Sequence, residues 1–572
     1  MKNTIKKFIC ALLACALFSV APSAFSANVG DKTGDVLSTD IVTYIEGVKV
    51  PSFNIAGRTA VVVENLNAMG LPFEVWYDDT TRTLSISEGK GGVRDYFHFA
   101  DNESSAPIGT PIMDVLYTDI ETFYQGKKLE SFNIGGFTCV YATDLATLYG
   151  RYTFNEDTRA VDIFRQKDEA MGEVFSKETS VKLPANESII SRGDSMVRWG
   201  SPQKSYLMKN DDGTYSTIEF SGGLNIEQYD SDYRYISSKK IKLDYPIFGG
   251  FLAGLEYNYV VCGQENQKDS DALTVINISV YDKNFKKVKD IPIKDCKTSV
   301  PFDASNVSLA ENSNLLVLHT ARSQYKEQNG TNPQTQLTVI IEKSNWTVVN
   351  ALEKFQPNHT SHALKGYADF DRNKIVTLNY SDANPVRGAF IHEMALDGKL
   401  LSTTSIFKVP GPASANCTGA MPGGFGVSGK SYITALSSID HSLATDYSDT
   451  AIEGISSEER DIVILTTDKD SKETKNTLLT YYSGEGKTAS VPYLVKLESG
   501  RFMVLWQRFD ENANRSNIFC YAFLDKNGKL LGESMAAEGY LSAHCQPTQI
   551  DGKVMWYTNT ASGRIFYEID SI

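Results

Sequence analysis

The 572-residue sequence predicts a mainly β chain: two small duplicated α+β units, then a β-propeller of about seven blades. Three observations carry this. A block of about fifty residues near the N-terminus is repeated. Short β-branched and aromatic runs separated by Gly, Asn and Asp dominate after residue 180. Long helical periodicity is absent there.

The first element is an export signal. Lys2, Lys6 and Lys7 precede the apolar run 8–20, and Ala24-Phe25-Ser26-Ala27 places small residues around a cleavage point after Ser26. The run is too short to span a bilayer, which takes about 20 apolar residues. Leu12-Leu13-Ala14-Cys15 loosely resembles a lipoprotein box, but the apolar run continues past Cys15 instead of turning polar. No later stretch reads as transmembrane. The expectation is a secreted or cell-surface protein with residues 1–26 removed.

The duplicated block follows, as repeats 36–88 and 114–166. Asp40-Ile41-Val42-Thr43-Tyr44 matches Asp119-Ile120-Glu121-Thr122-Phe123, and Ser52-Phe53-Asn54-Ile55 matches Ser131-Phe132-Asn133-Ile134, at a constant offset of 79. Each copy reads as a hairpin turning at Glu46-Gly47 or Gln125-Gly126, and Val48 to Ile55 reads as one returning strand. A strand (Ala60 to Val63 in the first copy), a short helix and a closing hairpin complete the unit. The first helix, Glu64 to Met69, stops at Gly70; in the second copy Asp144 is the expected N-cap and Gly150 the stop. The shared asparagine reads as a residue bonding its own turn rather than as a ligand.

These residues resemble the copper amine oxidase N-terminal-like, or stalk, domain of secreted Gram-positive surface proteins. The likeness rests on Ser-Phe-Asn-Ile-x-Gly, the small helix, and the closings Trp76-Tyr77-Asp78-Asp79-Thr80 and Phe154-Asn155-Glu156-Asp157-Thr158. It implies a non-catalytic spacer and an association with the cell wall. Copper and quinone chemistry is not expected. Thr377-Leu378-Asn379-Tyr380-Ser381 lacks the acid that follows a quinone-forming tyrosine, and the seven histidines contain no His-x-His pair.

From residue 186 to 572 a weaker repeat recurs: a β run ending in an acidic turn. It appears at Ile226 to Asp230, Ile278 to Asn284, Val339 to Asn345, Met394 to Lys399, Leu465 to Asp470, Phe523 to Lys529 and Phe566 to Asp570. Blades around an axis let many short strands avoid exposed edges. The apolar runs Tyr259 to Val261, Leu315 to Leu318, Ile375 to Leu378 and Phe502 to Trp506 read as their inner strands. Six or eight blades also fit, and a pair of β-sandwiches competes because the spacing is irregular. The polar stretch 166–186 reads as a linker.

Composition narrows function. Loss of the three signal lysines moves net charge from −14 to −17, unfavourable for nucleic acid. Six scattered cysteines outside the signal (139, 262, 296, 417, 520 and 545) make no zinc pattern, and one or two disulfides fit an oxidising compartment. No Gly-x-Ser-x-Gly elbow or sialidase-type box is present. Asp369-Phe370-Asp371-Arg372-Asn373 reads as a strand turn rather than a calcium loop. Arg192-Gly193-Asp194-Ser195 reads as turn chemistry rather than an adhesion motif. No catalytic, cofactor-binding or metal residue is assigned, and no cofactor is expected. The expected function is binding of an extracellular glycan, peptide or surface partner by the propeller. The alternative is a propeller hydrolase or lyase acting on polysaccharide, which would show two carboxylates about 5–10 Å apart.

Overall fold

The computed structural model describes residues 28–68, 71, 73–89, 106–155, 158–165, 169–195, 198–350, 359–383, 385–455, 458–483, 485–510 and 513–571. The signal segment, Met69, Gly70, Glu156, Asp157 and residues 166–168 lie outside them. Two compact units result, residues 1–168 and 169–572.

In the first unit the repeats are interleaved. Copy one contributes β1 (Lys32–Leu37), β2 (Val42–Ile45), β3 (Val48–Val50), β4 (Ser52–Ile55), β5 (Arg58–Val62), α1 (Val63–Ala68), β6 (Phe73–Asp78) and β7 (Thr83–Glu88). Copy two repeats that order as β8 (Pro111–Leu116), β9 (Glu121–Tyr124), β10 (Lys127–Leu129), β11 (Ser131–Ile134), β12 (Phe137–Tyr141), α2 (Ala142–Tyr149), β13 (Gly150–Asn155) and β14 (Ala160–Arg165). Three strands from each copy close one barrel, β1-β4-β5-β12-β11-β8. The closing hairpins do not finish their own copies: β7 runs parallel to β9, and β14 parallel to β2. An opening hairpin of strands three and four residues long is too small to stand alone, and the other copy's hairpin makes it a four-stranded sheet. The exchange is reciprocal down to its ion pairs, Arg82–Asp119 at 2.6 Å and Arg159–Asp40 at 3.0 Å.

Local details follow from the chemistry. The stretch Val48 to Ile55 divides at Pro51, which has no N–H for a ladder, and β4 turns into the barrel. Asn54 Oδ1 accepts from the Gly57 N–H at 2.9 Å and Asn133 Oδ1 from the Gly136 N–H at 3.0 Å, so the shared asparagine ties the same turn twice. Asp144 is not the N-cap of α2. Tyr141 holds that position without a side-chain bond, and Asp144 in the first turn pairs with Arg58 at 2.6 Å.

The second unit is a propeller of seven blades. From the axis outward, blade one is Ser205–Lys209, Tyr215–Phe220, Leu224–Tyr229 and Tyr235–Ile241. Blade two is Ile247–Ala253, Asn258–Gly263, Ile276–Tyr281 and Lys287–Ile293. Blade three has a divided innermost strand, Thr298–Pro301 and Ser308–Glu311, then Leu315–Gln324, Gln334–Glu342 and Thr347–Val348. Blade four is Ala363–Asp371, Lys374–Ser381, Gly388–Ala395 and Leu400–Lys408, and blade five is Ala420–Val427, Ser431–Ser438, Asp461–Asp468 and Thr474–Leu478. Blade six again divides its innermost strand, Lys487–Ala489 and Tyr493–Lys496, before Phe502–Asp510, Ile518–Leu524 and Leu530–Glu538. Blade seven takes Thr548–Ile550, Lys553–Asn559 and Arg564–Asp570 from the end of the chain, and its outermost strand is Phe175–Thr179. Innermost strands of neighbouring blades pack side by side, and blade seven meets blade one.

Much of the stretch read as a linker is thus part of the ring. Ala170–Met171 adds to the edge of blade six and Phe175–Thr179 completes blade seven. This outermost strand is exposed along nearly its whole length, which is why Phe-Ser-Lys-Glu-Thr has linker-like composition. A buried clasp fixes the closure. Arg564 of blade seven reaches Glu219 at 3.2 Å and Glu227 at 2.9 Å in blade one. The same glutamates accept from the Asn186, Lys182 and Leu183 N–H groups.

In blades one to six the acidic turns fall at one place, after the third strand, whereas Phe566 to Asp570 belongs to the third strand of blade seven itself. In blades one, two and six Asp230, Asp282 and Asp525 accept from the backbone N–H groups two and four residues on. The apolar runs are inner strands, as expected, each the second strand of its blade. Second strands are packed on both faces between neighbouring blades and read as continuous apolar sequence. All six cysteines are buried free thiols, and no disulfide forms among the described residues. Burial pushes Cys262 and Cys545 up to about 12.

Candidate functional site

The innermost strands surround a cavity of about 350 Å³ on the propeller axis. Its wall is shaped by β-bulges. The pairing of the first two strands slips between Phe248 and Gly250 in blade two, Ala363 and Lys365 in blade four, and Pro422 and Gly424 in blade five. Gly250, Lys365 and Gly423 all line the cavity. Bulges of this kind re-aim side chains and release backbone groups from the ladder. The Leu364 carbonyl, inside one of them, accepts from the Gly200 N–H at 2.7 Å.

That bond belongs to a strap over one mouth of the channel. Between Phe175–Thr179 and Ser205–Lys209 the chain takes a long route. The Ser188 and Ile190 N–H groups donate to Asn559 and Leu541 of blade seven, and the Arg192 N–H to Asn514 of blade six. Arg198 donates to the Asp449 and Thr450 carbonyls in blade five, Gly200 reaches blade four, and Ser205 returns to His544. A Cβ on Gly200 would lie 2.9 Å from the Asn306 nitrogen, so the strap passes where only glycine fits without displacement. The tetrapeptide Arg192 to Ser195 is one helical turn of this strap. Asp194 accepts from the Ser191 N–H at 2.9 Å and its hydroxyl at 2.7 Å, and it lines the cavity.

Beneath the strap the lining mixes apolar side chains, among them Trp199, Phe251, Leu252 and Val307, with phenols and polar groups. Tyr206 donates to the Gln203 carbonyl at 2.9 Å and Tyr493 to the Ser542 carbonyl at 2.5 Å. Tyr367 has no hydrogen-bond partner among the described residues. Burial pushes all three phenols up, so they remain neutral donors. Lys365, two residues before Tyr367 and hence on the same face of the strand, brings its ammonium 5.9 Å from that ring. Burial pushes the Lys365 ammonium down to about 8. His544 is held below its ordinary value by burial and then by Lys204, so it is neutral at neutral pH. The charged groups of the lining are Lys365 and Asp194.

The other histidines are placed elsewhere. His319 and His392 lie within blades three and four, and burial lowers them to about 3 and about 4. His362 pairs with the buried Asp382 at 3.0 Å, and His441 bridges Ser438 and Tyr447. His98 lies outside the described residues. Asp369 to Asp371 end the first strand of blade four, and Arg372-Asn373 make the turn into the second. Among the described residues no group of three His, Cys, Asp or Glu side chains is placed to hold a metal ion, and no helix is long and apolar enough to cross a membrane.

Of the lining, Asp194 alone stands in a motif visible in the sequence, where it reads as a turn residue. Innermost strands alternate small, polar and aromatic residues, as in Ala363-Leu364-Lys365-Gly366-Tyr367, and carry no strong periodicity. The signal that could have found them is the pairs Gly249-Gly250 and Gly423-Gly424, because glycine inside a strand marks a bulge or close approach.

No family model matches the chain, and no curated protein matches it. Among solved structures, BBS1N in complex with ARL6DN shares 9% identity, covering 67% of this chain and 95% of that one at a TM-score of 0.37. BamB from Moraxella catarrhalis shares 11% identity, with 69% and 97% covered at 0.30. The alpha-L-arabinofuranosidase from Lactobacillus brevis shares 12%, with 65% and 94% covered at 0.29. The assignment of seven blades stands on the strand pairing itself.

Proposed function

We propose that this is an exported surface protein whose propeller binds an extracellular ligand in the axis cavity, while the first unit serves as a non-catalytic spacer. The composition of the cavity wall carries the reading. Three tyrosines, several serines and one ammonium surround a space within the range of small-ligand sites, about 300–1,000 Å³. Cleavage of a glycoside by paired acids would need a second carboxylate beside Asp194, and the described lining has none. Asp194 is itself bonded into the strap. The spacer reading is supported by the family likeness of residues 36–166 and by a barrel filled with apolar side chains, which offers a ligand no room. Export and the association with the cell wall rest on the N-terminal segment and that likeness.

The test is a screen of the mature full chain, and of its Tyr367→Ala variant, against neutral and acidic glycans and a peptide library. Saturable binding that Tyr367→Ala abolishes supports the cavity as the site. Binding that survives the substitution moves the site off the axis, and no binding of any class removes the reading. Turnover of a bound polysaccharide would replace it with the hydrolase or lyase reading.

A further inference from the structure

Lys365 stands apart from the other inward-facing cations of the propeller. Lys343 pairs with Glu311 at 2.8 Å, Lys469 with Asp371 at 2.9 Å and Arg564 with two glutamates. Arg387 is met by the Ala415 and Cys417 carbonyls at 2.5 and 3.1 Å. Lys365 has no carboxylate or carbonyl partner among the described residues, and its ammonium faces the cavity beside a phenol ring. Lys365 is half-buried in this wall; partly desolvating a charge without a counter-charge costs stability, and a ligand of opposite charge recovers that cost on binding.

Resting on the reading of the cavity as a ligand site, we infer that it takes a carboxylate-bearing sugar, with the Lys365 ammonium as the counter-charge to the carboxylate. The rest of the wall suits a sugar. Aromatic rings from Tyr206, Tyr367 and Tyr493 can face its C–H surfaces, and phenol and serine hydroxyls can meet its own hydroxyls. The volume of about 350 Å³ admits one or two sugar rings. A lone ammonium is a point charge that suits a single carboxylate.

The titratable groups facing Lys365 across the cavity are Asp194, Tyr206, Tyr367, Tyr493 and His544. The phenols and the imidazole are held neutral by burial, which leaves Lys365 as the group that loses charge just above neutral pH. Affinity for an acidic sugar should fall as pH rises through about 8.

Calorimetric titration of the full chain tests this. The probes are glucuronate, galacturonate, mannuronate and N-acetylneuraminate, with glucuronamide, galacturonamide and the neutral parent sugars as controls, and alanyl-alanine as a peptide carboxylate. At least one acidic sugar should bind about ten- to a hundredfold more tightly than its uncharged counterpart, the range for losing a charge-assisted bond. Lys365→Met should remove that preference, Lys365→Arg should keep part of it, and Lys365→Met without ligand should melt at a higher temperature. A lysine serving only packing would leave the acid preference intact. The inference is overturned if acid and amide bind alike, if Lys365→Met keeps the preference, if alanyl-alanine outcompetes every sugar, or if no acidic sugar binds. Neutral sugars binding where acidic ones fail would sink this inference and leave the binding function standing; silence from every probe would remove both. The acid-against-amide comparison uses the unaltered protein, so a variant that fails to fold does not block the test.

Discussion

The barrel of the first unit and the axis of the second are both spaces walled by strands, and they are filled in opposite ways. Inside the barrel Val36, Phe53, Val62, Val115, Ile134 and Cys139 pack against one another, each almost wholly buried. Around the axis a cavity stays open, and its wall sets phenols, serines and a lysine among apolar side chains such as Phe251, Leu252 and Val307. A space filled by apolar side chains leaves no room for a ligand. A cavity whose wall carries Lys365 and Tyr367, neither with a hydrogen-bond partner among the described residues, has both room and polar groups to offer one. Both units close by exchanging strands along the chain, so closure does not separate them; the content of the enclosed space does.

The largest effect that would break this comparison is at the clasp of the ring. Arg564→Ala leaves Glu219 and Glu227 buried without their cation and should destabilise the second unit by about 3–5 kcal/mol. Denaturant unfolding should show the loss in the propeller transition alone. Next comes the barrel: Ile134→Ala opens a cavity in an apolar core and should cost about 2–5 kcal/mol. Ligand binding should be unchanged, and a loss of affinity there would undo the division of labour drawn above.

A pH-dependent effect sharpens the contrast between satisfied and unsatisfied charges in the propeller. Burial opposes ionisation of Glu393, but bonds from Lys472, Ser402 and Tyr432 outweigh it and hold the carboxyl down to about 2. A depressed carboxyl contributes stability above its unfolded value of about 4.5 and loses it as pH falls towards about 2. Glu393→Gln should therefore lower the melting temperature at neutral pH, and the gap should close across that window. A constant gap from pH 7 to pH 2 would contradict the assignment. The smallest effect tests the symmetry of the barrel unit. Asn54→Ala and Asn133→Ala each remove one turn bond and should each cost about 0.5–1.5 kcal/mol, to a similar extent.

What could be read in advance follows from the same physics. The turn acids were legible because an aspartate bonding the N–H groups two and four residues on, as in blades one, two and six, is a local device, and acidic turns follow the third strands of blades one to six. The turn asparagines were legible for the same reason. Whatever depends on distant partners was not. The exchange of β7 and β14 between copies leaves no trace in either copy's own pattern. Phe175–Thr179 looks like a linker until its partner, Arg564–Asp570, is known. The cavity was invisible because its wall is assembled from short pieces of all seven blades and the strap, each unremarkable in its own segment.

The outermost strand of blade seven also sets the order of events during biosynthesis. Its partners lie at the other end of the unit; Glu178 and Ser562, bonded across that seam, are 384 residues apart in the chain. A growing chain makes Phe175–Thr179 first and must keep it available while six blades form. Until Arg564–Asp570 exists, the ring is an open arc with bare strand edges at both ends, the kind of surface that pairs with other chains. A ribosome that stalls inside the last blade would release a sticky arc, not a slightly shortened propeller. The final three strands therefore decide whether the ring closes.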